Sequence, residues 1–282
     1  MLLFNTQKEL VSHLNSVSNE TTSIGFVPTM GALHAGHLSL LEESMKHNAI
    51  NVISIFVNPT QFNNAEDLAK YPKTLESDIE KIKTLSDSII VFAPSIDDIY
   101  EGKTVASPFN FDGLEHQMEG KFRPGHFDGV GTIVKRLFEI VKPNYAYFGE
   151  KDFQQLQIVK KLVEKNKMPV IVVGCPIYRE PNGLAMSSRN ERLTAEERKK
   201  AAIIYQTMTE ARKMFATKSA KEVTEFVNKV FYKRTDFELE YFQIADEATL
   251  LPCFRKSKTK KYRAFIAVFV NKIRLIDTIS LN

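Results

Sequence analysis

Residues 24–41 read Ile24-Gly-Phe-Val-Pro-Thr-Met-Gly-Ala-Leu-His-Ala-Gly-His-Leu-Ser-Leu-Leu41. An apolar run, a Pro/Gly turn and an apolar amphipathic stretch follow one another, which predicts a strand, a tight loop and a helix. If the helix begins near Gly36, its free amides and the positive end of its dipole face whatever lies over the loop. His34 and His37 flank the same place, so this stretch predicts an anion-binding site.

Similar apolar runs recur through the first 176 residues and are separated by stretches with helical spacing. Strands are predicted at 22–28, 51–57, 88–92, 144–148 and 169–174, and helices near 36–49, 74–87, 127–142 and 152–166. Alternation of this kind indicates an α/β fold with a parallel sheet covered by helices on both faces. Such sheets bind ligands beyond the carboxyl ends of their strands. His34, Asn58, Gly149 and Lys151 all fall there.

The pattern changes after about Pro176. Helices are predicted near 194–216 and 219–231, and strands near 238–244, 263–270 and 273–279, which together indicate a smaller α+β second domain. The polar segment 178–190 follows the boundary directly. A polar stretch with Gly and Pro at a domain junction is well placed to close over a ligand.

The composition is that of an ordinary globular protein, with 282 residues, 43% hydrophobic and 26% charged. The amino end has no basic segment before a long apolar core, and no apolar stretch approaches the roughly 18 residues that a membrane span requires. We therefore expect a soluble, unexported protein. Cys175 and Cys253 lie far apart without Cys-x-x-Cys spacing, which predicts buried or indifferent thiols rather than a zinc site or a disulfide framework.

A net charge of +4 is too small to imply nucleic-acid binding by itself. One stretch is strongly basic and comprises Arg255, Lys256, Lys258, Lys260, Lys261 and Arg263. A charge run without interleaved aromatic residues is more typical of a solvated loop between strands than of a nucleic-acid surface. We expect the loop, and keep the nucleic-acid surface as the alternative.

The histidine pair indicates chemistry on a nucleotide. His-x-Gly-His after a strand resembles the signature of the nucleotidyltransferase superfamily, in which ATP is attacked at its α-phosphate. Histidines can donate to phosphate oxygens and share charge as it develops. A lone loop histidine is more often a packing or solvent residue, but Gly31 and Gly36 allow close backbone approach and favour the functional interpretation.

Two further clusters fit the same chemistry. Lys151, after Gly149 at a strand end, can neutralise phosphate, and Asp152 can cap the helix or accept from ribose hydroxyls. The alternative for this cluster is plain helix capping. The stretch 186–189 reads Met-Ser-Ser-Arg and resembles the Lys-Met-Ser-Lys-Ser loop of the same superfamily, a mobile strap over the triphosphate. On its own it would more often be a surface turn.

Side-chain amides at another strand end point to the second substrate. Gln61, in Asn58-Pro-Thr-Gln61, and a glutamine on the helix after Gly149 can each bind a carboxylate or hydroxyl without adding charge. This suits a small hydroxy acid. Amides in such positions also serve as turn residues.

Taken together, six segments closely resemble the pantoate–β-alanine ligase (pantothenate synthetase) family, in order and over nearly the whole chain. They are Pro28-Thr-Met-Gly-Ala-Leu-His-x-Gly-His37, Val57-Asn-Pro-x-Gln-Phe62, Tyr71-Pro-x-Thr-Leu75, Glu119-Gly-x-x-Arg-Pro-Gly-His-Phe-x-Gly-Val130, Phe148-Gly-Glu-Lys-Asp152 and Leu184-Ala-Met-Ser-Ser-Arg-Asn190. The superfamily signature alone would not name the substrate.

The resemblance implies a two-step ligase reaction. ATP and pantoate form pantoyl adenylate and pyrophosphate, and the amine of β-alanine then attacks the acyl carbon to give pantothenate and AMP. Mg²⁺ accompanies ATP, and no metal site on the protein itself is assigned. The family also implies a Rossmann-like domain at 1–176 that binds nucleotide and pantoate, a smaller mobile lid domain at 177–282 that carries the strap, and a cytoplasmic homodimer without nucleic-acid or membrane partners.

The resemblance further assigns the site residues. The ATP site comprises Met30, Gly31, Ala32, Leu33, His34, Ala35, Gly36, His37, Gly149, Glu150, Lys151, Asp152, Tyr178, Met186, Ser187, Ser188 and Arg189. Gln61 and Gln155 would hold pantoate, Gln61 would also touch β-alanine, and Asn58 joins this substrate group. His37 is the assigned catalytic acid, with His34, Lys151 and Arg189 as further catalytic residues. The residues themselves are equally compatible with His37 as an electrostatic stabiliser.

The chain departs from the family pattern at a few positions. Thr60 stands where Met is frequent, Lys73 where Arg is common, and Pro181-Asn182 where an Asp usually precedes Gly183. None of these changes removes a phosphate ligand. The nearest rival function is another adenylyltransferase with the same histidines that transfers AMP to a phosphate. Asn58-Pro-x-Gln61 and Arg123-Pro-Gly-His126 argue against that rival.

Overall fold

The computed structural model describes all 282 residues, Met1–Asn282. The chain divides into two compact units. The first unit comprises residues 1–115, 120–149 and 155–175, and the second comprises 116–119, 150–154 and 176–282. The division into a nucleotide- and pantoate-binding domain and a lid domain stays a prediction as to roles. The structure adds that two short segments from the first 176 residues, 116–119 and 150–154, group with the second unit.

The first unit is built on a six-stranded, all-parallel sheet. Its strands are β1 (Leu2–Phe4), β2 (Ile24–Thr29), β3 (Ile50–Ile55), β4 (Ile90–Phe92), β5 (Tyr145–Gly149) and β6 (Ile171–Cys175). The helices are α1 (Gln7–Val17), α2 (Ala35–His47), α3 (Ala65–Ala69), α4 (Leu75–Lys83), α5 (Ile96–Tyr100), α6 (Met118–Phe122), α7 (His126–Val141) and α8 (Phe153–Asn166). The units divide α6, and α8 begins at the end of a second-unit segment.

The strand order is β1-β4-β3-β2-β5-β6. β2 and β5 are neighbours, with Gly25 paired to Tyr145 and Phe26 to Ala146. The chain runs from β2 to β3 on one side and reaches β5 on the other, so the strand order reverses between β2 and β5. Ligands of open α/β sheets bind at such a switch point. The loop with the histidines leaves β2 there, and Gly149 ends β5.

Helices cover both faces of this sheet, as predicted. Successive residues of a strand point to opposite faces, and Gly25 and Phe26 of β2 illustrate this. A Cβ on Gly25 would lie 2.1 Å from Ser44 Oγ of α2, whereas the Phe26 ring packs edge-on against Phe138 of α7, with centroids 6.2 Å apart. α2 and α7 therefore lie on opposite faces.

The second unit contains a three-stranded antiparallel sheet and three helices. Its strands, in the order β7-β8-β9, are β7 (Phe237–Asp246), β8 (Tyr262–Val270) and β9 (Ile273–Ser280). Its helices are α9 (Ala195–Lys200), α10 (Ala202–Thr217) and α11 (Ala220–Tyr232). Phe215 packs on Tyr262 and Phe231 on Phe237, which joins α10 and α11 to the sheet in one apolar core.

Several sequence predictions need correction. The single helix predicted near 194–216 is divided at Ala201. There the Ile204 N–H donates a hydrogen bond to the Ala201 carbonyl at 3.0 Å, which tightens the turn. β1, α1, α3, α5 and α6 were not predicted. Arg263 does not belong to the solvated basic loop, because it is 5% exposed and lies in β8. Both cysteines are free and buried, as expected. None of the helices combines the length and the apolar character that crossing a bilayer requires.

Candidate active site

A buried carboxylate shapes the loop that follows β2. Gly31 and Ala32 have positive φ angles of 81° and 50°, which lets the chain turn sharply. The fully buried carboxylate of Asp78 on α4 accepts hydrogen bonds from the backbone N–H of Ala32 at 2.9 Å and of Leu33 at 2.7 Å. Lys81, nearly one turn further along α4, donates to the Leu33 carbonyl at 2.7 Å. α4 therefore holds the path of the chain into α2.

His34 and His37 cap the start of α2 reciprocally. The Gly36 N–H donates to His34 Nδ1 at 3.1 Å, and the His34 N–H donates to His37 Nδ1 at 3.3 Å. A ring nitrogen that accepts carries no proton, so each neutral imidazole has its proton on Nε2. The two rings stack with their centroids 4.0 Å apart. The helix start therefore fixes which nitrogen of each histidine is the donor.

Gln61 and Met30 lie together in the first unit. Gln61 Nε2 donates to Met30 Sδ at 2.9 Å, and Gln61 Oε1 accepts from Asn58 Nδ2 at 3.1 Å. Asn58 is 1% exposed and makes four hydrogen bonds within the protein. Its amide therefore supports Gln61, and a direct contact of Asn58 with the substrate stays a prediction.

The glutamines at the start of α8 have different roles. Gln154 is buried, donates to the Gln117 carbonyl at 2.9 Å and accepts from the Glu119 N–H at 2.9 Å. It therefore shapes the second unit. Gln155 lies in the first unit, is half-buried, and is the glutamine assigned to pantoate by the resemblance.

The turn after Gly149 is held by the sheet of the second unit. Arg263 of β8 donates to the Glu150 carboxylate at 3.1 Å, and Thr278 of β9 donates to the Glu150 carbonyl at 3.2 Å. The Lys151 ammonium lies 3.5 Å from the carboxylate of Asp152, whose side chain is about half exposed. The turn thus presents one cation and one accessible carboxylate.

The predicted strap begins as a short hairpin in the second unit. The Met186 N–H donates to the Tyr178 carbonyl at 3.0 Å, and the Glu180 N–H to the Leu184 carbonyl at 2.9 Å. At the tip, Asn182 Oδ1 accepts from the Leu184 N–H at 3.0 Å. The side chain of Asn182 performs the turn-forming role that an Asp would have, so this departure from the family pattern has a local physical explanation.

The Met186–Arg189 segment is anchored at both ends. The hairpin holds its beginning, and Arg179 at the hairpin base forms a bidentate pair with the buried carboxylate of Asp277 at 2.7 and 3.0 Å. At the other end, Asn190 donates to Glu180 at 2.7 Å and to the Ala185 carbonyl at 3.1 Å. Ser187 caps the following 3-10 turn by accepting from the Arg189 N–H.

The site residues thus fall into two sets. In the first unit the structure places Met30–His37, Asn58, Gln61, Gly149 and Gln155, and in the second unit Glu150–Asp152, Tyr178 and Met186–Arg189. Sequence reasoning missed Asp78, although it lies just beyond the quoted Tyr71–Leu75 motif. It also gave no role to Tyr100, which donates to Asn58, or to His126, whose ring contacts the Gln61 carbonyl over 2.8 Å.

Comparison with known proteins adds independent findings. The family model described as pantoate-beta-alanine ligase matches residues 2–280. A protein named pantothenate synthetase from Flavobacterium psychrophilum is 66% identical over 281 residues, covering 100% of both chains. A crystal structure of pantothenate synthetase from Thermus thermophilus has a TM-score of 0.90 at 38% identity, covering 100% of this chain and 99% of that one.

A second solved structure bears on ligands. The pantoate-beta-alanine ligase from Francisella tularensis, crystallised in complex with beta-gamma ATP and beta-alanine, has a TM-score of 0.81 at 36% identity. It covers 100% of this chain and 98% of its own. A nucleotide and an amino acid therefore bind to a protein similar to this one.

Proposed function

The chain belongs to the pantoate–β-alanine ligase family, and we propose that it condenses pantoate with β-alanine through a pantoyl-adenylate intermediate. The activity is that of an AMP-forming ligase that consumes ATP and releases pyrophosphate. The observation that carries the proposal at the site is the histidine pair at the start of α2, in which both rings have their donor on Nε2.

In the first step, a carboxylate oxygen of pantoate attacks the α-phosphorus of ATP. The new bond joins that oxygen to phosphorus, and the bond from the α-phosphorus to the bridging oxygen breaks, so its electron pair leaves with pyrophosphate. Donors near the bridging oxygen stabilise this charge. We assign His34, His37, Lys151 and Arg189 to this task. An Nε2–H donor on His37 is compatible with both of its proposed roles, charge stabilisation and proton donation as the catalytic acid.

In the second step, the amine of β-alanine attacks the acyl carbon of the adenylate. A carbon–nitrogen bond forms, the bond from the acyl carbon to the phosphate oxygen breaks, and AMP leaves while the amine loses a proton. Gln61 and Gln155 suit pantoate because neutral amides bind its oxygens without attracting the triphosphate into the same place. We propose that Gln61 also touches β-alanine.

The ATP-side residues are proposed from the family resemblance. Residues 30–37 and 149–152 would surround the phosphates and ribose, the Tyr178 backbone would approach the adenine, and residues 186–189 would fold over the triphosphate. The half-exposure of Met186–Arg189 is compatible with contact to a ligand. A cytoplasmic homodimer remains part of the proposal.

Mg²⁺ would accompany ATP. Magnesium in nucleotide sites is bound by one or two carboxylates together with substrate phosphates, and keeps several waters. Glu150 is engaged by Arg263, whereas the Asp152 carboxylate is about half exposed. We propose that Asp152 holds the ion, which would neutralise charge on the departing pyrophosphate.

A pyrophosphate-release assay tests the proposal. We expect release in a single turnover with ATP and pantoate, and continuous release when β-alanine is added. β-Alanine without pantoate should give none. Product formation that needs only a phosphomonoester acceptor would instead show a different adenylyltransferase. Salt-sensitive binding to nucleic acid without ATP turnover would favour the basic-surface alternative.

A further inference from the structure

A closed hydrogen-bond network lies behind Gln61 in the first unit. Tyr100 at the end of α5 is 2% exposed, and its hydroxyl donates to Asn58 Oδ1 at 2.5 Å. The Thr60 hydroxyl lies 3.1 Å from the same oxygen and 3.0 Å from the Tyr100 hydroxyl. On its other side, Asn58 Nδ2 donates at 3.1 Å both to the Gly129 carbonyl and to Gln61 Oε1.

One backbone carbonyl sets the orientation of both side-chain amides in this network. The Gly129 oxygen can only accept, so the group of Asn58 that faces it is the NH₂. Asn58 Oδ1 must then face the two hydroxyls, which orients Asn58 completely. The second N–H of Asn58 reaches Gln61 and requires an acceptor there. Gln61 therefore turns its carbonyl oxygen toward Asn58 and its NH₂ away, toward Met30 Sδ.

The protein backbone around this network is also closely packed. A Cβ on Gly129 would lie 2.3 Å from the Thr60 carbonyl oxygen and 2.6 Å from Gln61 Cα, so α7 approaches this turn as closely as a glycine allows. Arg123 Nη1 lies 3.2 Å from His126 Nε2, and because a guanidinium can only donate, the His126 proton is on Nδ1. His126 Nδ1 then donates to the Gln61 carbonyl at 2.8 Å.

We propose that Tyr100 and Thr60 are positioning residues for pantoate, which act through Asn58 to present Gln61 as a hydrogen-bond donor. This inference rests on the proposed role of Gln61 in holding pantoate. The Gln61 NH₂, turned away from Asn58, favours an oxygen acceptor on the ligand, a carboxylate or a hydroxyl, over an ammonium. If Gln61 also meets β-alanine, it does so through the carboxylate of that substrate.

Two further observations support the role of the hydroxyls. Burial raises the pKa of Tyr100, opposed by a hydrogen bond with Thr60 and by the charge of Arg136, so the phenol keeps its proton at neutral pH. Thr60 stands where the family often has Met, which has no hydroxyl. In this chain Asn58 Oδ1 therefore has two hydroxyl neighbours, and its orientation is more strongly determined.

Tyr100→Phe and Thr60→Val test the proposal, because each removes a hydroxyl and preserves the shape of the side chain. We expect each to raise the KM for pantoate about 3- to 10-fold, the effect of one hydrogen bond, and the double variant to raise it further. The KM for ATP should stay at the wild-type value. Thr60→Ser keeps the hydroxyl and should restore the wild-type KM for pantoate.

Tyr147→Phe is the matched control. Tyr147 is 1% exposed, and its hydroxyl accepts from the buried amide of Asn48 at 2.8 Å, which is not a member of the network behind Gln61. A purely structural role of Tyr100 predicts that both Phe variants lower stability and leave the KM for pantoate unchanged. That result, or an equal rise in the KM for ATP and pantoate in Tyr100→Phe, would overturn the proposal.

The design separates this inference from the proposed function. If the wild-type protein releases no pyrophosphate with pantoate, the function fails and the inference fails with it. If the wild-type protein is active and the hydroxyl variants keep its KM for pantoate, only the inference fails. Should Tyr100→Phe not fold, the Thr60→Val and Thr60→Ser pair decides alone, since Thr60 is only partly buried.

Discussion

At the scale of single residues, the most informative pair is His34 and His37. Backbone N–H groups occupy both Nδ1 atoms, so the protein sets the tautomers before any ligand arrives. Preorganised donors of this kind are a large source of transition-state stabilisation, because they need no rearrangement as charge develops. The arrangement suits either proposed role of the rings, charge stabilisation or proton donation.

The first prediction concerns His37. His37→Ala should lower the single-turnover rate of pantoyl-adenylate formation by about 100-fold or more, the effect of losing a preorganised contact. His37→Gln should retain more activity than His37→Ala, because a glutamine amide N–H can reach a position near that of Nε2. Rapid-quench measurement of the adenylate checks both. An unchanged rate in His37→Ala would exclude the assigned role.

Lys151 gives a second prediction of similar size. Lys151→Ala should slow adenylate formation by about 100-fold or more, since it removes a positive charge assigned to the triphosphate. The same quench experiment measures it. Lys160→Ala, an exposed lysine on α8, serves as the control and should leave the rate unchanged. Equal rates for both variants would show that Lys151 does not contact the nucleotide in the transition state.

Asp78 gives a prediction about stability. An asparagine there can accept on one atom only, so Asp78→Asn would set an N–H donor against the N–H of Ala32 or Leu33. We expect a loss of about 1–3 kcal/mol in the free energy of unfolding, the cost of an unsatisfied buried group. Urea denaturation measures this. Glu80→Gln on the same helix removes an exposed charge pair with Lys83 and should change stability by less than about 1 kcal/mol.

At the scale of elements, β2 and α2 depend on one close approach. A Cβ on Gly25 would lie 2.1 Å from Ser44 Oγ and 2.5 Å from Asn48 Nδ2. Both side chains are buried and hydrogen-bonded, Ser44 to Asn51 and Asn48 to Tyr147, so neither can move cheaply. α2, and with it the histidine pair, is therefore held against the sheet by a position that only glycine fits.

Gly25→Ala should consequently lower the free energy of unfolding by about 1–3 kcal/mol or more, the usual effect of overpacking. Thermal and urea unfolding measure the loss. Gly149→Ala is the comparison at the end of a neighbouring strand, because nothing lies within 4 Å of the added Cβ, and its stability should stay close to that of the wild type. Equal losses in the two variants would contradict the packing argument.

The same elements show how far sequence patterns reach. The predicted ends of β2 and α2 lie within two residues of the observed ends. An unbroken apolar run, a Pro/Gly turn and a capping residue all favour this unit. β1 was not predicted because its three residues are too few to show a periodic pattern. Thr6 caps α1 by accepting from the Glu9 N–H, and a Thr in this position is a helix-start signal in the sequence. No Gly or Pro near Ala201 indicates the division of the helix in the sequence.

Prediction of the candidate site was limited by tertiary contacts. Side-chain type and spacing identified the histidines, Lys151 and Gln61, which lie at strand and helix ends. No local pattern could show that every hydrogen-bonding position of Asn58 is occupied, since its partners include Tyr100 and Gly129, which are 42 and 71 residues away. Arg263 belonged to a charge run in sequence, yet in space it binds Glu150.

At the scale of the whole molecule, acid sensitivity can be predicted. Although burial opposes it, hydrogen bonds from Thr249 and Ala248 and the charge of Lys260 lower the pKa of Asp246. A carboxyl whose folded-state pKa is below its unfolded value stabilises the fold fully above the unfolded pKa, and that contribution is lost as the pH falls through the lowered value. Asp246 therefore contributes to acid unfolding.

Asp246→Asn keeps the shape and removes the charge. We expect it to lower the free energy of unfolding by about 1 kcal/mol at pH 7, and this difference from the wild type should shrink as the pH falls below the usual carboxyl range. Urea denaturation at a series of pH values measures it. Asp236→Asn, at a partly exposed position, is the comparison for loss of a carboxylate that is less buried. A difference for Asp246→Asn that grows toward low pH would contradict the assigned direction.

The reciprocal caps of His34 and His37 have a consequence for inhibitor chemistry. A compound that offers a hydrogen-bond donor to either imidazole gains no hydrogen bond there, because backbone N–H groups already occupy the Nδ1 atoms of both histidines. Groups rich in acceptors, such as sulfonyl or sulfamoyl oxygens, can accept hydrogen bonds from the Nε2–H groups without a change of tautomer. Medicinal chemists should thus begin from acceptor-bearing replacements for the phosphoryl group.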